Sequence, residues 1–174
     1  MLPFFHTRCG GFTIAASEIW KISSPHGVRC DPCLANKEDH WSFRISMAEL
    51  HSRLARHGIK PVGPASPDSR QTSRGGPLRI KIYRDPESGR VSRIRINDVT
   101  LKAHELRDIL GPNSIKSTFF RVRYVSGNFI FEGKGWGHGA GMCQYGARVY
   151  AEKGGPAQKI LAHYYPGAFL RRLY

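Results

Sequence analysis

Two short pairs of histidine and cysteine residues place the strongest restriction on how this chain can fold. His6 and Cys9 are separated by two residues, and so are Cys30 and Cys33. This spacing lets both donors of a turn reach one ion at about 2.0–2.3 Å, so the two turns together predict a tetrahedral structural zinc site. Four protein ligands would fill the tetrahedron, and such a zinc holds the fold and does not activate water. A disulfide from Cys9 to Cys30 or Cys33, and a redox-active CDPC motif, are the alternatives.

Length and composition indicate a folded, basic chain. Its 174 residues are 40% hydrophobic and 11% aromatic, which predicts one domain over residues 1–174 and argues against a disordered chain. No apolar run reaches the roughly 18 residues that a spanning helix needs. The 27 Lys and Arg against 13 Asp and Glu give a net charge of +14, which favours a polyanionic partner. The N-terminal MLPFFHTRCGG has no basic segment followed by an apolar one, so no signal peptide is expected in this chain.

The hydrophobic patterning predicts an α+β fold of antiparallel hairpins with short flanking helices. Apolar residues alternate with Arg and Lys in two consecutive segments, which is typical of a hairpin with one solvated, basic face. Ser46 and Glu49 have the spacing of a capping box at the start of a helix. The segment 58–77 is rich in Pro, Gly and Ser and predicts a flexible loop or insertion. The predicted hairpins are 78–84 with 90–97 and 117–125 with 128–133, and the predicted helices are 46–57, 102–110, 142–153 and 158–165.

The segment GKGWGHGAGMCQYGARVYAEKG, residues 133–154, carries the clearest functional pattern. Its dense glycines allow close approach of the backbone to a ligand, and they surround a single Trp136 and a single His138. An indole face and an imidazole suit a sugar, which stacks on aromatic rings and has hydroxyls to bind. The alternative is a glycine-rich turn whose Trp136 packs in the core. The segment lacks the GK[ST] of a phosphate-binding loop.

These residues resemble a known family. The segment 133–154, followed by ILAHYYPG, resembles the C-terminal signature of the SpoIID/LytB family, which comprises stage II sporulation protein D and amidase enhancer proteins. FFHTRCGG, IW and CDPC near the N-terminus, and LRDILG and IKSTFF further along, are also similar to the family. The resemblance implies a SpoIID-like fold, a place in the cell envelope, and peptidoglycan glycan strands as the partner. A cell-wall amidase or another wall hydrolase would be a second partner.

The resemblance also implies an activity and its residues. SpoIID-like proteins are lytic transglycosylases: a Glu protonates the glycosidic oxygen, and a hydroxyl of the sugar closes a 1,6-anhydro ring. In the family that Glu lies upstream of the HxxCGG segment, so we expect a domain that lacks its N-terminal part and no catalytic residue in this chain. None of its seven glutamates matches that position: Glu18, Glu38, Glu49, Glu87, Glu105, Glu132 and Glu152. The implied glycan-binding cleft comprises Gly135, Trp136, Gly137, His138, Gly139, Gly141, Gln144, Tyr145 and Gly146.

The resemblance places His6, Cys9, Cys30 and Cys33 at zinc-type positions of part of the family, and Cys143 at a position that is Ser or Cys. A nucleophilic Cys143 assisted by His138 is conceivable, but a small buried cysteine is favoured. The function that follows is binding and remodelling of glycan strands, with a non-catalytic wall-binding or amidase-enhancing module as the alternative. A zinc-bearing nucleic-acid binder is disfavoured, because aromatic residues are not interleaved with base-reading side chains in the pattern of a nucleic-acid module.

Overall fold

The computed structural model describes residues 4–37, 39–60 and 78–171, and it shows an α+β fold. The strands are β1 (Phe5–His6), β2 (His40–Ser46), β3 (Ile80–Arg84), β4 (Val91–Ile96), β5 (Val99–Lys102), β6 (Phe120–Val125), β7 (Asn128–Lys134) and β8 (Met142–Cys143). The helices are α1 (Asp31–Ala35), α2 (Met47–Arg56), α3 (Ala103–Leu110), α4 (Gln144–Glu152) and α5 (Ala157–Tyr164), with a 3-10 turn at Ala16–Glu18. The predicted fold class with antiparallel hairpins is confirmed.

The chain divides into two compact units. One, here called the sheet unit, comprises Ser42–Asp85 and Arg90–Gly133. The other, here called the cysteine unit, comprises Met1–Trp41, Pro86–Gly89 and Lys134–Tyr174. Of the predicted loop 58–77, residues 61–77 lie outside the described residues.

In the sheet unit, strands β3, β4 and β5 form an antiparallel sheet in chain order. Because side chains alternate across a strand, the isoleucines of β3 and β4 meet on one face, in the pairs Ile80 with Ile96 and Ile82 with Ile94. Helix α3 packs against β4 and β5 and buries Leu106 and Leu110. The predicted hairpin over 78–97 is confirmed; the sequence pattern missed β5, a strand of four residues directly before α3.

A second sheet has the order β2-β7-β6, and its central strand supplies a buried run. Phe129, Ile130 and Phe131 on β7 are all buried, as expected for a strand flanked on both sides. The β6–β7 turn places Ser126 and Gly127 at φ +47° and +79°, the positive values of a tight hairpin turn. The predicted hairpin over 117–133 is therefore confirmed, although β6 begins at Phe120.

Helix α2 begins and ends as its sequence indicates. The Ser46 hydroxyl accepts a hydrogen bond from the Glu49 N–H at 3.1 Å, which satisfies one of the free N–H groups of the first turn. Leu50 and Leu54 lie four residues apart on one face and are fully buried. Beyond the last turn Gly58 has φ +75°, a conformation that glycine adopts without strain.

The cysteine unit has little sheet structure. Its strands β1 and β8 pair in parallel over two residues, with Phe5 opposite Met142 and His6 opposite Cys143. Helices α4 and α5 follow β8, close to the predicted helices 142–153 and 158–165. The short helix α1 was not predicted; Pro32 in its first turn suits a helix start because proline lacks only an N–H that has no partner there. No helix in the described ranges is long and apolar enough to cross a membrane.

Candidate metal centre and glycine-rich loop

Four cysteines converge in the middle of the cysteine unit. Cys9 follows β1, Cys30 and Cys33 lie at the start and in the middle of the α1 segment, and Cys143 ends β8. All four are buried, and their sulfur atoms lie within 4.8 Å of one another. Four thiolates at about 2.3 Å from a tetrahedral ion stand about 3.8 Å apart, so the cluster has dimensions that suit a metal ion.

Segments distant in sequence bring these cysteines together. The pairing of His6 with Cys143 places the end of β8 beside the N-terminal segment. The Cys30 N–H donates to the Gly11 carbonyl at 2.9 Å, which holds the CDPC turn against the same segment. The cluster therefore joins residues that lie as far as 134 positions apart, as the bond from the Cys9 N–H to Cys143 Sγ shows.

Backbone N–H groups point at the sulfur atoms. Gly11 donates to Cys9 Sγ at 3.4 Å, and Cys9 and Gly146 donate to Cys143 Sγ at 3.3 and 3.4 Å. Such bonds favour the ionised form of a thiol and orient it as a ligand. The arrangement is suited to thiolates.

Gly146 leaves room for the cluster. A Cβ at this position would collide with the Tyr164 hydroxyl and with Cys30 Sγ. Those two groups are themselves 3.2 Å apart. Only glycine therefore lets α4 approach the cysteines this closely.

The cysteines cannot ionise independently. A hydrogen bond with Cys143 raises the pKa of the Cys9 thiol, with burial adding to the effect, whereas a hydrogen bond with Cys143 lowers the pKa of Cys33. Burial raises the pKa of the neighbouring Tyr164 hydroxyl. Four adjacent thiolates repel one another, and a bound cation is the physical means by which all four can lose their protons.

The observed group differs from the predicted ligand set at one position. The structure unites Cys9, Cys30 and Cys33 with Cys143, and His6 is not part of the group. Instead the His6 Nδ1–H donates to the Ala140 carbonyl at 3.0 Å, and its ring packs edge-on against His138 at 5.6 Å. The His6 ring thus contacts the glycine-rich segment. The spacing of His6 and Cys9 in the sequence cannot reveal this contact.

The geometry of the cluster also bears on two other hypotheses, a disulfide between the cysteines and a nucleophilic Cys143. All four are free cysteines, so the structure contains no disulfide among them. Cys143 is fully buried, with its sulfur 3.5 Å from that of Cys33. This agrees with a small buried cysteine and not with an accessible nucleophile.

The loop 135–141, here called the glycine-rich loop, is hydrogen-bonded to the N-terminal segment. Arg8 and Trp136 exchange two backbone hydrogen bonds of 2.9 Å, and the Ile14 N–H donates to the Gly139 carbonyl at 2.9 Å. Gly141 has φ +70°, and a Cβ there would collide with the Phe4 carbonyl. The glycines therefore let the loop pack closely against the backbone of the N-terminal segment.

Both ring nitrogens of His138 are held by the backbone. The Ala140 N–H donates to His138 Nδ1 at 3.1 Å, which makes Nδ1 the unprotonated nitrogen. Nε2 then carries the proton and donates to the Phe5 carbonyl at 3.1 Å. His138 thus positions the loop as a neutral imidazole, and protonation of Nδ1 would break the bond from Ala140.

Aromatic rings cluster beside this loop. Phe4 stacks on Trp20 at 4.6 Å, and Trp20 meets the His138 ring edge-on at 5.1 Å. Trp20 is 37% exposed, Trp136 is 44% exposed and Phe5 is 56% exposed. We call Phe5, Trp20 and Trp136 the exposed aromatic residues. Their exposure rules out the alternative in which Trp136 packs in the core.

Asp39 is a site residue that the sequence did not reveal. Its Oδ2 accepts a hydrogen bond from the Gly135 N–H at 3.1 Å, and its Oδ1 lies 3.5 Å from Arg8 Nη1. The Arg8 guanidinium also lies over the Tyr145 ring at 5.2 Å. One carboxylate thus fixes the start of the glycine-rich loop from 96 positions away, and no local motif marks it.

The predicted cleft residues fall into two sets. Six belong to the glycine-rich loop, and Gln144, Tyr145 and Gly146 form the first turn of α4. Gln144 is exposed, whereas Gly146 packs on the cysteine cluster. Glycan binding by these residues stays a prediction.

Known proteins with related sequences span most of this chain. Residues 36–141, more than half of the chain, match a family model described as "Domain of unknown function (DUF8618)". The amidase enhancer of Bacillus subtilis is 34% identical over 92% of the chain and 28% of its own length. Stage II sporulation protein D of the same organism is 34% identical over 94% of the chain and 43% of its own length. An uncharacterized protein of Brachyspira hyodysenteriae is 31% identical over 94% of the chain and 41% of its own length.

The chain thus spans less than half the length of these curated relatives. Their similarity extends across both the cysteine unit and the sheet unit, since it covers more than nine-tenths of the residues. It agrees with the resemblance carried by the glycine-rich segment and the CDPC turn. The chain belongs to the SpoIID/LytB-like family and contains the domain DUF8618.

Proposed function

We propose that this protein binds the glycan strands of peptidoglycan and takes part in their remodelling in the cell envelope. The observation that carries the proposal is the set of exposed aromatic residues beside a loop whose backbone is fixed on both sides. Sugar rings stack on aromatic faces, and a fixed loop loses little entropy when a ligand binds. A SpoIID-like fold and a cell-wall role accord with the names of the relatives, amidase enhancer and stage II sporulation protein D.

Retention on purified sacculi tests the binding site. At about 1 M salt the Debye length is about 3 Å, so retention through the +14 charge is largely removed. Under these conditions Trp136→Ala and Trp20→Ala should lower retention markedly. The matched control is Tyr124→Ala, which removes a 51% exposed aromatic ring in the sheet unit. If all three variants and the parent are retained equally, the assignment of glycan binding to the exposed aromatic residues is refuted.

The second proposed element is structural zinc, held by Cys9, Cys30, Cys33 and Cys143. Thiolate sets favour soft or borderline metals, and a closed tetrahedron of four cysteines is typical of structural zinc. Zinc would join the N-terminal segment, α1 and the end of β8, on which the glycine-rich loop depends. Elemental analysis of the purified protein should find about one zinc per chain.

A second candidate function is enhancement of a cell-wall amidase, favoured by the relative of that name. Sacculi incubated with this protein alone should release no 1,6-anhydro sugars, because the resemblance assigns the general acid to no residue of this chain. With an amidase added, an accelerated release of peptides would support the enhancer function. Anhydro sugars released by the protein alone would instead establish a transglycosylase and require a search for its acid.

A further inference from the structure

The solvent face of the β3-β4-β5 sheet is strongly basic. The register places Lys81 opposite Arg95 and Arg95 opposite Thr100 in one row, and Tyr83, Arg93 and Lys102 in the next. All six side chains are exposed. We call these residues the basic sheet face: Lys81, Tyr83, Arg93, Arg95, Thr100 and Lys102. The isoleucines of β3 and β4 occupy the opposite face, so the alternation of these strands forces all four cations to one side.

This arrangement places like charges directly opposite each other. Lys81 and Arg95 are directly opposed, as are Arg93 and Lys102, and like charges directly opposite each other destabilise a strand pair. Within the described ranges, none of the four cations forms a salt bridge with a carboxylate. Lys81 Nζ lies 5.2 Å from the centre of the Tyr83 ring, which leaves its charge in place.

Strand β6 in the same unit shows the usual alternative. Arg121 and Arg123 are also exposed cations on a strand, but both bond to Glu132 on β7, with distances of 3.1 to 3.3 Å. The fold therefore neutralises one pair of strand arginines with a neighbouring carboxylate, whereas the four side-chain cations of the basic sheet face form no salt bridge within the described ranges. Arg95 Nε donates to the neutral Asn97 carbonyl at 2.8 Å, which leaves the guanidinium charge uncompensated. An external anion would supply the missing negative charge.

The spacing of the four cations indicates a ligand that carries more than one anionic group. Neighbouring strands lie about 4.8 Å apart, and alternate residues along a strand lie about 6.8 Å apart. Four cations on this grid can engage two or three successive anions of an extended polymer. The planar guanidinium of arginine matches the oxygens of a phosphate, which lysine attracts as a point charge.

We propose that the basic sheet face binds a polymer of the cell envelope whose backbone carries repeated phosphodiester groups. A single-stranded nucleic acid is disfavoured, because its binding requires aromatic platforms for successive bases and this face offers one ring, Tyr83. The face belongs to the sheet unit, whereas the exposed aromatic residues belong to the cysteine unit. Its binding can consequently fail without any effect on the proposed glycan site, and the reverse also holds.

The test uses labelled poly(glycerol phosphate) and the full chain at about 50 mM salt, where counterion release is large. The test variant is Arg93→Gln with Arg95→Gln. The control is Arg121→Gln with Arg123→Gln, which lowers the net charge by the same two units. The test variant should bind about sixtyfold more weakly, because a salt slope of roughly 0.7 makes each of the two lost contacts worth roughly a factor of eight. The control should lose about threefold or less, since only the long-range field changes.

Two further readouts separate binding from folding. The test variant should denature at the same or a higher temperature than the parent, since it removes opposed like charges. Its retention on sacculi at high salt should equal that of the parent. Equal losses by test variant and control would show that net charge alone binds the polymer, and would overturn the proposal. Duplex DNA of equal phosphate content that binds as well and shows the same Arg93 and Arg95 dependence would also overturn it, in favour of a nucleic acid.

Discussion

The buried centres of the two units differ in their chemistry. In the sheet unit, isoleucines, leucines and phenylalanines from two sheets and two helices fill the interior. In the cysteine unit one buried cluster consists of Cys9, Cys30, Cys33, Cys143, Tyr164 and Tyr165. Hydrocarbon burial stabilises the first directly, at about 25 cal/mol per Å² of apolar surface. The second buries thiols and phenols, which must satisfy polar groups before their burial stabilises anything.

Because of this difference, we expect the stability of the cysteine unit, and not that of the sheet unit, to depend on a bound ligand. A hydrophobic core forms whenever its strands and helices pair. A cluster of four thiols gains most of its stability when a cation replaces their protons, so folding and metal binding become one equilibrium. The cysteine unit should therefore respond to chelation and acid, and the sheet unit to the loss of apolar volume.

Loss of the metal should produce the largest effect. Removing structural zinc costs on the order of 10 kcal/mol in small sites, so a strong chelator should unfold the cysteine unit. Amide hydrogen exchange, read separately for each unit, should show lost protection around Cys9 and Cys143 and retained protection in β4.

A matched pair of variants sharpens the same prediction. Cys143→Ser should lower the zinc content, because it removes one of the four sulfur ligands. His6→Asn should leave the zinc content near the parent's, because His6 bonds to Ala140. Elemental analysis should find less zinc in Cys143→Ser than in His6→Asn. The opposite result, with zinc lost from His6→Asn and kept in Cys143→Ser, would favour the ligand set predicted from spacing, which contains His6 and not Cys143.

A cavity in the core of the sheet unit should cause the next largest loss of stability. Leu106 is fully buried on α3, and Leu106→Ala should cost about 2–5 kcal/mol through lost burial and the cavity left behind. Denaturant titration should record the loss, while the zinc content stays at the parent's value. A fall in zinc content would show that the two centres are not independent.

The third effect concerns the anchor of the glycine-rich loop. Asp39→Ala leaves the Gly135 N–H without its carboxylate and should cost about 1–3 kcal/mol. The Gly135 amide should exchange faster, and retention on sacculi at high salt should fall with it. Unchanged exchange at Gly135 would mean that its other backbone contacts fix the loop.

The smallest expected loss of stability comes from removing the cap at the start of α2. Ser46→Ala removes the acceptor for the Glu49 N–H and should cost about 1 kcal/mol, as measured by thermal denaturation. Ser46→Asp should restore most of the loss, since aspartate also caps a helix. Neither change should alter metal content or glycan retention.

Local patterns predicted the regular elements with fair accuracy. The alternation in β3 and β4 and the capping serine of α2 are local signals, and all three elements lie within a few residues of their predicted bounds. Helix α1 and strand β5 were missed, because five and four residues are too short for a hydrophobic period to emerge.

The candidate site was predicted less completely, for a related reason. Close spacing identified Cys9, Cys30 and Cys33, since neighbours in sequence are neighbours in space. Cys143 carried a weaker signal, its place in the glycine-rich motif, and nothing in its spacing tied it to cysteines more than a hundred residues away. Asp39 had no signal at all, because the partner through which it fixes the loop is the backbone N–H of Gly135, and every residue but proline has such a group.

Periodicity, short spacing and an extended motif are enough to predict the fold class, the two hairpins, the family and three of the four clustered cysteines. The fourth cysteine and the role of His6 follow only from the folded chain, since parallel pairing of β1 with β8 sets both. Folding also brings Arg121 and Arg123 to Glu132, while Arg93 and Arg95 lie opposite other cations. Strand register fixes which charges oppose each other, and register arises only when the strands pair.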